Sequence, residues 1–248
     1  MCLIVFAWRP GHALPLIVAA NRDEFHQRPT RALGPWPDAP GVYAGRDLEA
    51  GGTWLGVGPG GRFAALTNIR QPRQPSGKRS RGHLVAGFLE GALSARDYLA
   101  EVAGEVDTYA GFNLLVGDGQ VLGYLHAHDA VPRVLAPGVY GLSNAALDTP
   151  WPKLVRARQA LERTLDTPEP ERLLALLADE TPVPEAELPD TGVGLATERL
   201  LSTAFIASPH YGTRARTVVI VDAQGRRQLI ERSHGPLGVA QGEVRLTV

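Results

Sequence analysis

The sequence is short of several things. Its 248 residues hold one cysteine and one methionine. A single cysteine excludes an intrachain disulfide and any zinc site built on cysteine pairs. An excess of charge of one sign is also missing, since 25 Lys and Arg face 26 Asp and Glu. Nucleic-acid binding needs a basic field that displaces counterions from phosphate, so no general affinity of that kind is expected. No apolar run reaches the roughly 18 residues of a bilayer-spanning helix, and no membrane span is expected. The run Cys2 to Trp8 is too short for a signal peptide. No basic residue precedes it and no small-residue cleavage site follows it. The expected compartment is the cytoplasm. Aromatic residues make up only 6%, but the apolar share of 44% is ordinary and can build a sizeable core.

What is there begins with strands. Leu3 to Trp8 and Leu14 to Ala20 are apolar runs joined by the turn chemistry of Arg9-Pro10-Gly11-His12, which predicts a hairpin. Pro29 to Pro40 reads as a Pro-rich loop. Val42 to Ala44, Thr53 to Val57 and Arg62 to Thr67 read as short strands, and the basic stretch Gln71 to Arg81 as a loop. Leu84 to Leu93 has helical spacing. Ser94, three before Asp97, predicts the N-cap of a helix running towards Tyr109. Strands return at Phe112 to Val116 and Val121 to His126. Asp148-Thr149-Pro150 predicts a helix start, with a capping side chain and then Pro, for a helix from about Trp151 to Leu165. Glu171 to Ala178 reads as helix and Thr181 to Gly192 as loop. Thr217 to Asp222, Arg227 to Glu231 and Glu243 to Val248 read as closing strands. Hairpins dominate and strands do not alternate strictly with helices. That pattern favours an α+β fold of stacked antiparallel sheets with helix layers outside, in one domain over 1–248.

Cys2 is the first residue with chemistry in it. It follows the initiator Met directly, and aminopeptidases generally remove Met before a small residue. A free N-terminal cysteine combines a thiol nucleophile with its own α-amine as base. The competing reading is a small packed hydrophobe at a strand start. Asn21-Arg22-Asp23-Glu24 closes the predicted second strand, which brings it near Cys2 if the strands pair. Arg22 would favour a thiolate, and Asp23 would orient the α-ammonium or hold Arg22; otherwise the four are a solvated strand end. Arg46 and Trp54 lie in Gly-rich turns. Arg46 is a candidate ligand contact or an ion pair with Asp47, and Trp54 a pocket wall or a core residue. Asn68 and Asn144 each end an apolar run, where an amide can donate to a developing oxyanion or cap a turn. Arg214 and Arg216 share a face of an extended segment, and one of them suits a substrate carboxylate or a surface ion pair. The seven histidines form no metal signature, so no metal is expected.

Jointly these motifs resemble a known family. Met1-Cys2-Leu3-Ile4-Val5-Phe6, then Ala20-Asn21-Arg22-Asp23-Glu24-Phe25 with Arg28-Pro29, resembles the NRDE, or transport and Golgi organisation, signature. Gly45-Arg46-Asp47, Gly51 to Gly56, Leu66-Thr67-Asn68, Gly141 to Asn144, Asp148 to Lys153 and Tyr211 to Arg214 follow in the family's order. The resemblance implies a four-layer αββα sandwich of the N-terminal-nucleophile-hydrolase type, similar to penicillin V acylases and bile salt hydrolases. It implies a hydrolase of non-peptide amide bonds in a small, acyl-bearing substrate, with no cofactor required. In that scheme Cys2 attacks, Asp23 holds the α-amine, Asn68 and Asn144 face the oxyanion, and Arg214 lies near the acidic end. Asn21, Arg22, Arg46 and Trp54 are candidate substrate contacts. The acylases carry an Arg three residues before the Asp, where this chain has Ala20. The resemblance also implies a rival from another class, an intracellular carrier of haem or another hydrophobic ligand without turnover. A third reading is a hydrolase fold kept as a protein-interaction module.

Overall fold

The computed structural model describes residues 2–72 and 77–248. The chain forms two compact units, one from 1–27, 70–73 and 137–248, the other from 28–69 and 74–136. Every strand pair among the described residues is antiparallel. The fold is α+β: among the described residues there are two antiparallel sheets and five α-helices.

The first unit is built on β1 (Cys2–Trp8), β2 (Leu16–Phe25), β10 (Gly138–Leu142), β11 (Tyr211–Val221), β12 (Arg227–His234) and β13 (Ala240–Thr247), ordered β10-β1-β2-β11-β12-β13. Strands from the two ends of the chain lie side by side in it. β1 and β2 form the predicted hairpin, with Cys2 opposite Arg22 and Leu3 opposite Asn21. Leu3, Val5, Ala7, Ile17, Ala19, Val218 and Ile220 are every second residue of their strands, so they share one face. They pack on Leu154, Ala157 and Leu161 of α3 (Pro152–Thr164) and on Leu173 and Leu174 of α4 (Pro170–Leu176). Each Val, Leu or Ile side chain among them is worth about 1.5–3 kcal/mol when fully buried. Helix α3 comes close enough to β10 that a Cβ at Gly141 would sit 2.5 Å from Leu154. A last short helix, α5 (Leu195–Leu200), completes this unit.

The second unit holds β3 (Thr30–Pro35), β4 (Tyr43–Asp47), β5 (Leu55–Gly58), β6 (Arg62–Asn68), β7 (Phe112–Gly117), β8 (Leu122–His126) and β9 (Arg133–Val134), paired in chain order. Helices α1 (Gly82–Glu90) and α2 (Ala95–Ala103) pack through Leu84, Val85, Phe88, Leu89 and Leu99 on Leu114, Val116 and Leu125.

Several boundaries differ from expectation. The segment read as a Pro-rich loop contains β3, an edge strand that ends at Pro35, a place where the missing N–H costs nothing. β2 runs on through Phe25, so Asn21 to Glu24 lie inside a strand rather than beyond its end. Ser94 does cap α2, accepting the Asp97 N–H. The helix stops at Ala103 because Gly104 is a poor helix residue, and a short 3₁₀ turn follows at Val106–Thr108. α3 starts at Pro152, one residue after the expected Trp151, with Pro152 and not Pro150 in its first turn. Asp148 is occupied elsewhere: its carboxylate accepts the Gly141 N–H at 2.8 Å and Arg158 at 3.2 Å. The loop expected over Gln71 to Arg81 includes 73–76, which lie outside the described residues. Among the described residues no helix is long and apolar enough to cross a membrane.

Candidate functional site

Cys2 opens β1 and is buried, at 8% exposure. Arg22 stands directly across from it on β2, and Ala20, two residues away, shares that face. Burial pushes the thiol above its ordinary value, and the Asp23 carboxyl pushes the same way. Arg22 and the Asp23 backbone N–H, which bonds the sulfur, pull it down. Arg22 is thus a cation directly across the strand pair from the thiol.

Asp23 lies on the other face of β2, opposite Thr213 of β11. The Thr213 hydroxyl donates to its Oδ1 at 2.7 Å and accepts the Ile206 N–H at 2.9 Å. The Tyr211 hydroxyl donates to the Asp23 carbonyl at 3.1 Å. Burial raises the Asp23 carboxyl, while Lys153, the Thr213 bond and Arg70 lower it. Burial also raises the Tyr211 hydroxyl well above its ordinary value, and the nearby Asp23 and Cys2 add to this.

Sequence reasoning missed the cations next to Asp23. Lys153, in the first turn of α3, is 2% exposed and donates from Nζ to the Leu201 carbonyl at 2.8 Å. Burial lowers its pKa to about 8, against the pull of Asp23. The signal for it was present. Lys153, Ala157 and Leu161 are spaced by four and all three are buried, so the lysine sits on the core stripe of its helix. Arg70 and Glu198 form a buried ion pair at 2.5 Å, with side chains 3% and 4% exposed. Thr191 donates to Glu198 Oε1 from its N–H at 3.0 Å and its hydroxyl at 2.5 Å. The Arg70 N–H bonds the Asn144 carbonyl at 2.7 Å, and the Trp151 ring covers the guanidinium at 4.5 Å. These partners are up to 128 residues apart, and no local pattern announces them.

Asn144 follows β10 and is 1% exposed. The Ser143 hydroxyl lies 3.1 Å from the Cys2 carbonyl and 3.3 Å from Asn144 Oδ1. Cys2, Arg22, Asp23 and Asn144 therefore belong to one buried polar layer of the first unit, with Lys153, Arg70, Glu198, Thr213 and Tyr211.

The other candidates belong to the second unit or are engaged in holding the fold. Asn21 donates its amide to the Leu177 and Ala204 carbonyls at 2.9 and 2.7 Å, tying the end of α4 and the 204 segment to the sheet. Arg214 is the extra residue of a β-bulge between Thr213 and Ala215. It donates to the Phe25 and His26 carbonyls at 3.0 and 3.2 Å, while Arg216 reaches His234 and the Leu174 carbonyl. The bulge breaks the alternation on which a shared face rested. Arg46, Trp54 and Asn68 belong to the second unit. Arg46 pairs with Asp38 and not with Asp47, which Arg28 holds. Trp54 packs against Gly45, where a Cβ would meet its ring at 2.2 Å. Asn68 ends β6, opposite Phe112. His126 and His128 do face each other, with ring centroids 5.2 Å apart. Among the described residues no three His, Cys, Asp or Glu side chains converge as a metal site.

Comparison with known proteins agrees with the family resemblance. A Transport and Golgi organization protein 2 homolog of Bos taurus is 42% identical, covering 94% of this chain and 93% of that protein. The Homo sapiens homolog is 39% identical over 99% and 97% of the two chains. Among solved structures, the Caenorhabditis elegans N-acylethanolamine-hydrolyzing acid amidase ortholog aligns with a TM-score of 0.48 at 13% identity, covering 88% of this chain and 92% of that one. The family model for Transport and Golgi organisation 2 matches residues 1–236, and the chain belongs to that family.

Proposed function

We propose that this chain is an N-terminal cysteine hydrolase that cleaves a non-peptide amide bond in a small, acyl-bearing molecule. One observation carries the reading. The residue after Met1 is a buried thiol whose sulfur takes the Asp23 N–H, with Arg22 across the strand pair. Burial keeps that thiol protonated, so attack requires a base. Removal of Met1 would supply one, an α-amine on Cys2 itself with an ordinary pKa of about 8.

In the neutral form the amine takes the thiol proton. The sulfur attacks the amide carbon, and the carbonyl electrons move to oxygen. Asn144, its own Oδ1 taken by the Ser143 hydroxyl, is the candidate donor to that oxyanion. Collapse expels the amine product, which leaves with the proton returned by the α-ammonium. Water, deprotonated by the same amine, then attacks the thioester and leaves in the acid product, and the proton returns to the thiol. Asp23, fixed by Thr213, holds the α-amine in place throughout.

Intact-mass spectrometry tests the reading directly. The expected result is a chain without Met1 that takes a single adduct from a thiol-directed acyl probe, with no adduct in Cys2→Ala. Quantitative retention of Met1, or an adduct that persists in Cys2→Ala, would refute it. Haem titration followed through the Soret band is then the next measurement, because ligand carriage would remain as the reading.

A further inference from the structure

β13 is the last strand of its sheet and, among the described residues, pairs with β12 alone. The direction of its hydrogen bonds is fixed at one end. Arg227 and Val248 exchange both main-chain bonds, at 2.8 and 2.9 Å. Antiparallel pairs alternate between bonded and unbonded, so Leu246, Val244 and Gly242 turn their N–H and C=O groups towards β12. Thr247, Arg245 and Glu243 turn theirs outward, where no strand among the described residues receives them.

Open edges are usually blunted by proline, bulges or charge. Gly242 to Thr247 holds no proline and pairs with β12 without a break, the bulge falling at His234 before it. What this edge carries is charge of both signs. Glu243 and Arg245 bond each other and, with Arg232, reach Glu171 of α4, which keeps both on the face that bears that helix. Val244 and Leu246 alternate with them and are half-buried on the opposite face.

That arrangement complements itself across a two-fold axis. Antiparallel pairing of β13 with a second β13, centred on Val244, sets Glu243 opposite Arg245 of the second copy, and Arg245 opposite its Glu243. The outward groups meet there, so each of these pairs can exchange both main-chain bonds. Val244 meets Val244, and Leu246 lies over Gly242 of the second copy, where a Cβ would meet nothing within 4 Å. Moving the axis to Glu243 or to Arg245 opposes like charges directly, which is unfavourable. The charges therefore select one register, and the strand that fits it is a copy of the same strand.

We propose that β13 is the interface of a homodimer, in which the six-stranded sheets of two copies join edge to edge about an axis at Val244. A contact this narrow falls at the small end of protein interfaces, so the dimer forms reversibly, in the micromolar range. It is independent of the hydrolase reading.

Disulfide trapping reads the register. Cys2 is the single cysteine, so Cys2→Ala supplies a background without thiols. Val244→Cys in that background places the two sulfurs across an unbonded pair, where Cα atoms about 4.5 Å apart suit a disulfide. Leu246→Cys is the control. In this register the two copies of residue 246 lie roughly 13 Å apart, beyond the reach of a disulfide. In a glutathione redox buffer Val244→Cys should yield at least about tenfold more covalent dimer than Leu246→Cys. Equal trapping at the two positions, or none at Val244, would overturn the proposal. Sedimentation tests the charges separately. Glu243→Arg and Arg245→Glu each oppose like charges and should weaken self-association about tenfold or more, while an equal mixture of the two chains should recover the dimer. A mixture that associates no better than either chain alone would also overturn it. The mixture compares variants with themselves, so a change in the fold of one cannot mimic the recovery.

Discussion

Replacing Lys153 by Met keeps most of the stem's apolar volume and removes the ammonium. In the folded chain burial brings the lysine from its ordinary 10.5 to about 8, even with Asp23 attracting it. Each tenfold change in an acid constant is worth about 1.4 kcal/mol, so holding this lysine charged costs the folded state roughly 3 kcal/mol relative to the unfolded chain. The sign follows from which state binds the proton more tightly, and here it is the unfolded one. Below pH about 8 both states carry the proton and the cost is felt in full. Between about 8 and 10.5 the folded lysine is neutral while the unfolded one is still charged, so stability against unfolding rises with pH. Above 10.5 the penalty is gone. Urea unfolding of both chains, followed through the four tryptophans, should therefore show a difference that changes across this window. The unmodified chain should gain roughly 3 kcal/mol on Lys153→Met between pH 7.5 and 10.5. A difference flat to within about 0.5 kcal/mol, near the extrapolation error, would refute the argument.

Three further substitutions probe the same layer and its supports. Glu198→Gln leaves the Arg70 guanidinium buried without its counter-charge and should cost about 3–5 kcal/mol in urea unfolding, while Arg70→Met with Glu198→Leu should recover most of the loss. Asn21→Leu strands the buried Leu177 and Ala204 carbonyls and should cost about 2–4 kcal/mol, with hydrogen exchange accelerated first near the end of α4. Gly141→Ala drives a methyl group into Leu154 at 2.5 Å and should cost about 1–3 kcal/mol, relieved by Leu154→Ala on the same background; additive losses would sink this account of the α3–β10 contact.

The strands with apolar runs and clear turns, β1, β2, β7 and β8, were legible because their burial follows from their own residues. The site was legible only in part, for a physical reason. Asn21 to Glu24 read as a solvated strand end because four polar residues inside a buried strand are costly. Here two of the costs are met from far along the chain: Asn21 by residues 177 and 204, and Asp23 by Thr213. Local pattern cannot announce partners 150 residues away. The Arg70–Glu198 pair was invisible on the same ground. Arg214 misled because a bulge, which leaves no mark in composition, shifts the alternation by one residue. Lys153 was the avoidable omission, since a lysine in step with Ala157 and Leu161 contradicts its own stripe.

The sheet that carries Cys2 imposes an order on synthesis. β1 and β2 leave the ribosome first, but their outer neighbours in the sheet, β10 and β11, begin at residues 138 and 211. Between those events the N-terminal hairpin has both edges open, and an isolated two-stranded hairpin is marginal in water. Only when β10 and β11 have arrived does β1 have a neighbour on each side and β2 likewise, so the strand that begins at Cys2 takes its buried place late in synthesis, although it is made first.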